Sequence, residues 1–166
     1  VSAIAAAARA VASGGPAGVV EVQSVPDEEA GGGTGSLACT DELVRGRVRP
    51  DLVVVCEPTG RSVSTAQVGS RALRFHVRGL EAHANTKANG VNAIEAALAL
   101  AARLTAWAER PDRGTHPLLP APSVNVGRIA GGVGATTVAA ECEFEVCITY
   151  HPADAAGLAA DVDAVV

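Results

Sequence analysis

Apolar and polar residues are arranged in two textures along this chain. In the first 60 residues the apolar positions come in clusters rich in alanine or valine. Residues 1–13, VSAIAAAARAVAS, are Ala-rich and predict a helix ended by Gly14, Gly15 and Pro16. AGVVEVQSV (17–25) and PDLVVVCEPTG (50–60) are valine-rich and predict buried strands. Between them TGSLACTDELVRG (34–46) predicts a short helix. Helix, strand, helix, strand is the rhythm of an α/β layer with a mostly parallel sheet. Ligands in such layers bind beyond the carboxyl ends of the strands, where Glu28, Glu29 and Glu57 fall.

After Gly60 the runs give way to alternation. RALRFHVRG (71–79) sets Leu73, Phe75 and Val77 against Arg74, His76 and Arg78. ECEFEVCITY (141–150) sets Cys142, Phe144, Val146 and Ile148 against Glu141, Glu143 and Glu145. Both predict strands of an antiparallel sheet with one wet face. Asn89 is a candidate cap for a helix over 90–110, with Val91, Ile94, Leu98, Ala101 and Leu104 as its apolar stripe and Pro111 as its stop. SVNVGRIAGG (123–132) is a further strand, and ADAAGLAADVDAVV (153–166) starts a second helix. The order β-α-β-β-α is one strand short of a ferredoxin-like sandwich. Its first and third strands would be neighbours, placing the Arg74/His76/Arg78 row beside the Glu141/Glu143/Glu145 row. The reading is therefore α/β overall: a partial α/β sheet domain over 1–64 and a ferredoxin-like α+β domain over 65–166, with the boundary near 61–68.

With 48 % apolar and 2 % aromatic residues the core is built from small side chains. A net charge of −5 argues against nucleic acid as a partner. No run is long enough to span a bilayer, and no signal peptide is evident. Cys39, Cys56, Cys142 and Cys147 lack zinc-like spacing and read as reduced thiols of a cytoplasmic protein. Both termini fall inside helical patterns, so the sequence reads as a piece of a longer protein.

The chemistry centres on VPDEEAGGGTG (25–35). GTGSLA (33–38) matches a weak dinucleotide fingerprint, whose backbone N–H groups would hold an anion at a helix N-terminus. Two carboxylates just upstream oppose a pyrophosphate there, and no lysine follows the glycines. An EF-hand lacks its alternating ligands and its final glutamate. Asp27-Glu28-Glu29 as a solvated charge run is the plainest alternative. Against it stands Glu57, a third carboxylate at the end of a comparable run, since three converging carboxylates require a cation or a proton. In metal-assisted hydrolysis two consecutive glutamates can divide the work, one binding metal and the next reaching the activated water.

Four segments in order, VPDEEAGGGTG, DLVVVCEPTG, GLEAHANTKANGVNAIEAA and NVGRIAGG, resemble the co-catalytic zinc amidohydrolases, the family of acetylornithine deacetylase, succinyl-diaminopimelate desuccinylase, aminoacylase and carboxypeptidase G. The resemblance implies a general-base role for Glu28, zinc ligation by Glu29 and, on the second zinc, by Glu57. It implies that His83 is a lid histidine reaching into the partner subunit's active site to stabilise an oxyanion. It further implies two zinc ions per site, with cobalt or manganese as substitutes, and hydrolysis of an N-acyl amino acid or peptide-like amide. Residues 1–64 would be part of the catalytic domain, and 65–166 the lid and dimerisation domain of a homodimer, with SVNVGRIAGG as an edge strand where subunits pair.

The chain also departs from the family. Thr136 stands where many members have an asparagine, and Thr149 roughly where they have an arginine that holds the substrate carboxylate. The family's remaining zinc ligands, two histidines and a bridging aspartate, would come from before Val1 and after Val166. The chain alone is therefore expected to be inactive, as a fragment of an enzyme. A non-catalytic dimerisation or binding module derived from the family is the alternative.

Overall fold

The computed structural model describes residues 2–14 and 18–166. The helix start at Val1, the breakers Gly15 and Pro16, and the strand start at Ala17 lie outside the described residues. The chain divides into two compact units, Val1–Ser62 and Val63–Val166.

The first unit holds helix α1 (Ser2–Gly14), a one-turn 3₁₀ helix (Glu28–Ala30) and helix α2 (Gly35–Val44). α2 buries none of its side chains and is laced on its surface by Arg45–Asp41 and Arg47–Glu42 ion pairs, each at 2.7 Å. The two expected buried strands are absent: no strand lies between Gly18 and Val68. Val19 is 96 % exposed and Leu52 80 % exposed. An apolar run becomes a strand only when its N–H and C=O groups meet a neighbour's. Among the described residues neither run has such a neighbour, so the pattern is present and the ladder is not.

The second unit is a sheet covered on one face by helices. Strand β1 (Gly69–Arg78) is followed by the two-residue strand β2 (Ala82–His83), a 3₁₀ stretch (Ala84–Asn89) and helix α3 (Ala93–Ala108). Strand β3 (Ser123–Gly131), the short β4 (Thr137–Val138), strand β5 (Glu141–Tyr150) and helix α4 (Leu158–Val165) complete it. The main sheet runs β1-β5-β3, antiparallel throughout, and β2 pairs with β4 in a separate ribbon. β1 and β5 are neighbours, as expected, in a register that sets Arg74 opposite Glu145, His76 opposite Glu143 and Arg78 opposite Glu141. On that wet face Glu143 gathers Arg128 at 2.6 Å and His76 at 3.3 Å, while Glu145 takes Arg74 at 2.9 Å.

The dry face of β5 supplies Cys142, Phe144, Val146 and Ile148, all buried. Phe144 stacks on Phe75 of β1, with ring centroids 4.9 Å apart. α3 covers this row with Ala93, Ala97, Ala101, Leu104, Trp107 and Ala108, and α4 adds Leu158 and Val162. The expected stripe is thus rotated. Ala101 and Leu104 are buried, Ile94 is half-buried, and Val91 and Leu98 are more than half exposed. Small alanines let the helix lie close on the sheet, and each fully buried large side chain adds about 1.5–3 kcal/mol. The cap is corrected as well: Asn92, not Asn89, starts the helix, its Oδ1 accepting from Ile94 N at 2.9 Å and Glu95 N at 3.3 Å. Asn89 instead ends the preceding 3₁₀ stretch, where Leu80 and Val91 form a bridge that fixes the entry to α3.

Beyond α3, Arg113 ties the helices together. Its guanidinium lies 4.2 Å over the Trp107 ring and reaches Asp161 of α4 at 2.8 Å.

Candidate functional site

The acidic loop is organised by Asp27. Its Oδ2 accepts from Thr34 N and Thr34 Oγ1, both at 2.6 Å, and from Gly35 N at 3.1 Å. The Thr34 hydroxyl, with the backbone N–H groups of Thr34, Gly35 and Ser36, holds the Asp27 carboxyl below the usual carboxylate range. Glu28 and Glu29 sit on the 3₁₀ turn that this arrangement closes, exposed and free of ion pairs among the described residues. Gly31 and Gly32 follow with φ of 96° and 65°, left-handed conformations that a side chain would strain. Gly35 is needed for another reason, since a Cβ there would lie 2.8 Å from Asp27 Oδ1. The sequence raised the question of how three adjacent carboxylates are tolerated. Asp27 turns inward as an anchor and leaves its two neighbours facing solvent.

The same geometry weighs against a nucleotide at GTGSLA. The N–H groups at the start of α2 that would cradle a phosphate are occupied by the Asp27 carboxylate.

Glu57 lies exposed in an extended stretch that belongs to no strand. The expected convergence of Glu28, Glu29 and Glu57 on one sheet edge is not seen, because the sheet that would align them is not formed among the described residues. Nor do these residues contain any group of three or more His, Cys, Asp or Glu side chains placed to hold a metal ion. Glu29 and Glu57 alone do not fit a two-metal centre, which needs several deprotonated ligands around each ion.

His83 is placed with more precision. It ends β2, opposite Thr137 of β4, and the following amide, Ala84 N, donates to Thr136 O at 2.9 Å. The ring Nδ1 accepts from Asn85 N at 3.2 Å. In the neutral ring an accepting Nδ1 leaves the proton on Nε2, so His83 offers an N–H donor from an exposed position. Thr137 also lines an open cleft of about 500 Å³ formed by the 131–135 loop, Ala139 and the start of α3 at Asn92 and Ile94. The glycines of that loop are structural in part: a Cβ on Gly131 would meet Glu141 O at 2.6 Å.

The other three histidines have structural partners. His76 pairs with Glu143, His116 Nδ1 accepts from Leu118 N, and buried His151 holds Pro120 O through Nε2 at 3.0 Å. Thr149 is occupied too, its hydroxyl bonding Ser123 N at 3.0 Å and Ser123 Oγ at 2.8 Å to fasten β3 to β5. The four cysteines are free. No helix among the described residues is long and apolar enough to cross a membrane.

The second unit is thus a helix-covered antiparallel sheet of mixed α and β structure, bearing a histidine on a short ribbon beside a glycine-lined cleft. Residues 65–164 match the peptidase dimerisation domain family, and the chain belongs to it. It is 30 % identical over 109 residues to acetylornithine deacetylase of Pectobacterium carotovorum and 32 % identical over 110 residues to that of Yersinia pestis. In each case the match covers 64 % of this chain and 28 % of the relative, so the chain spans little more than a quarter of the curated relatives' length. Among solved structures, one from methicillin-resistant Staphylococcus aureus, described as an aminohydrolase, aligns with a TM-score of 0.50 at 17 % identity. It covers 59 % of this chain and 25 % of the other, and shows the fold.

Proposed function

We propose that this chain is part of a metal-dependent amidohydrolase acting on an N-acyl amino acid or a short peptide-like amide, and that residues 65–166 form its lid and dimerisation domain. The observation that carries the reading is the match of residues 65–164 to the peptidase dimerisation domain, joined to about 30 % identity with acetylornithine deacetylases. Within the larger protein, Glu28 would act as general base and Glu29 and Glu57 would each contribute one carboxylate to a zinc ion, cobalt or manganese being substitutes. His83 would donate its Nε2 proton to an oxyanion in the active site of a second subunit. Its exposure and its tautomer suit that donation. Two copies would associate through this domain, with the β3 edge as the pairing strand.

The 166-residue chain by itself is expected to bind no stoichiometric zinc and to hydrolyse no N-acetylornithine. Mass spectrometry under native conditions and chromatographic detection of released ornithine and acetate test both. Tight zinc with turnover would overturn the fragment reading. The alternative, a dimerisation or binding module without catalysis, is separated by reading the coding sequence on either side. An upstream His-x-Asp segment and a downstream histidine favour the enzyme, and stop codons favour the module.

A further inference from the structure

We propose that the main-chain N–H of Asn85 is the positioning group for His83, holding the ring in its neutral form and fixing where the Nε2 proton points. The proposal rests on the reading of His83 as a hydrogen-bond donor to a second subunit. His83 occupies the N-cap position of the 3₁₀ stretch Ala84–Asn89, with φ −71° and ψ 143°. The first N–H groups of a helical stretch need acceptors from outside its own ladder. Ala84 N finds Thr136 O at 2.9 Å, and Asn85 N finds His83 Nδ1 at 3.2 Å. The acceptor at a cap is ordinarily a side-chain oxygen of Ser, Thr, Asp or Asn. Here it is an imidazole nitrogen, which accepts only while it carries no proton. Capping the turn and keeping the ring proton on Nε2 are therefore one condition.

The rest of the turn fixes the backbone beneath the ring. Ala82 pairs with Val138 and His83 with Thr137 in the β2–β4 ribbon. The Thr86 hydroxyl donates to His83 O at 3.2 Å. Gly90 closes so tightly on the ribbon that a Cβ there would lie 2.7 Å from Leu80 O and 2.9 Å from Ala82 Cβ. Lys87 reaches Glu95 of α3 at 2.5 Å, which ties the turn to the helix. These contacts hold the His83 main chain and leave the side-chain torsions to be set by the ring's own contacts. Among the described residues the Asn85 N–H is the ring's one polar contact. Glu81, Lys87 and Glu95, the charged residues of the adjoining segments, form no ion pair with it. A donor aimed before charge develops needs no reorganisation when an oxyanion forms, and the Asn85 contact gives His83 that aim.

The test uses the whole 166-residue chain, isotope-labelled for NMR. Nitrogen shifts read the His83 tautomer, carbon relaxation reads the motion of its ring, and hydrogen exchange reads the Asn85 amide. In the unsubstituted chain near neutral pH, Nδ1 is expected to carry no proton and the ring order parameter to exceed about 0.6. Asn85→Ala keeps the N–H and is expected to change neither. Asn85→Pro removes it and is expected to admit the Nδ1–H tautomer and drop the order parameter below about 0.6. Two further measurements do not depend on how well the turn accepts proline. Protection of the Asn85 amide is expected to fall roughly fivefold in His83→Phe. It is also expected to fall on acidification as the ring takes up a proton, while the Ala84 amide stays protected. A proton on Nδ1 in the unsubstituted chain would overturn the proposal. So would a ring equally ordered in Asn85→Pro, or an Asn85 amide indifferent to both His83→Phe and acid. The flanking coding sequence tests the catalytic reading separately, so either can fail alone.

Discussion

Arg74 and Glu145 face each other across β1 and β5, the guanidinium Nη2 2.9 Å from the carboxylate Oε1, although 71 residues separate them in the chain. The contact fixes which strands are neighbours. It also places Arg74 within a cluster centred on Glu143, whose carboxylate accepts from Arg128 and lies near Arg74 and His76.

Glu143 should make the second unit acid-sensitive. The Arg128 hydrogen bond, helped by the charges of Arg74, His76 and Arg128, holds its carboxyl below the ordinary value of 4.5. A carboxyl more acidic in the folded chain than in the unfolded one stabilises fully above the unfolded value, and that stabilisation is lost as pH falls through the folded value. Thermal melts from pH 7 downward should be flat in this contribution to about 4.5 and decline below it. Glu143→Gln should remove that part of the decline. An unchanged acid profile in the variant would assign the sensitivity elsewhere.

Asp27 predicts a similar acid response in the first unit. Its carboxyl is held low chiefly by the Thr34 hydroxyl, so its anchoring is present above the ordinary value of 3.8 and lost as pH falls below it. Asp27→Asn should loosen the loop at neutral pH, seen as faster amide exchange at Thr34 and Gly35. Retained protection at both amides would show that the loop does not depend on the carboxylate.

Asn92→Ala should destabilise the second unit by about 1 kcal/mol, because two N–H groups at the start of α3 lose their acceptor. Asn89→Ala should cost much less, since Asn89 caps nothing. Urea unfolding of the two variants side by side decides between the two caps.

Gly79→Ala should be the more severe change. A Cβ at Gly79 would stand 2.0 Å from Val91 O and 2.9 Å from Ala139 O, both backbone atoms that cannot swing aside. Overpacking of this kind costs about 1–3 kcal/mol, and the upper end is expected here. A denaturation midpoint close to that of the parent chain would show that the Leu80–Val91 bridge can shift.

Much of the second unit was legible because alternation identifies a strand and its faces together. Leu73, Phe75, Phe144 and Ile148 lie on the sides their spacing assigns, and the opposed charge rows selected the β1–β5 pairing. The helix stripe was misread because Ala93 and Ala97 signal burial weakly, yet their small size puts them against the sheet, and the cap because Asn89 ends a 3₁₀ stretch that the Leu80–Val91 bridge separates from α3. The first unit shows the opposite limit. Runs of valine record what a segment needs for burial, but pairing depends on partners that no local pattern supplies. Of the candidate site, the proposed residues Glu28, Glu29, Glu57 and His83 stood out by motif. The anchoring role of Asp27 was hidden, because a short loop contact between Asp27 and Thr34 leaves no periodic trace.

The uncovered stretch from Leu52 to Val63 also sets where the polypeptide is easiest to cut. A protease binds its substrate as an extended strand, and this segment is extended, exposed and free of ladder bonds, with Arg61 within it as a tryptic site. Brief trypsin digestion should therefore sever the chain here first and release the portion carrying β1 to α4 as a resistant product.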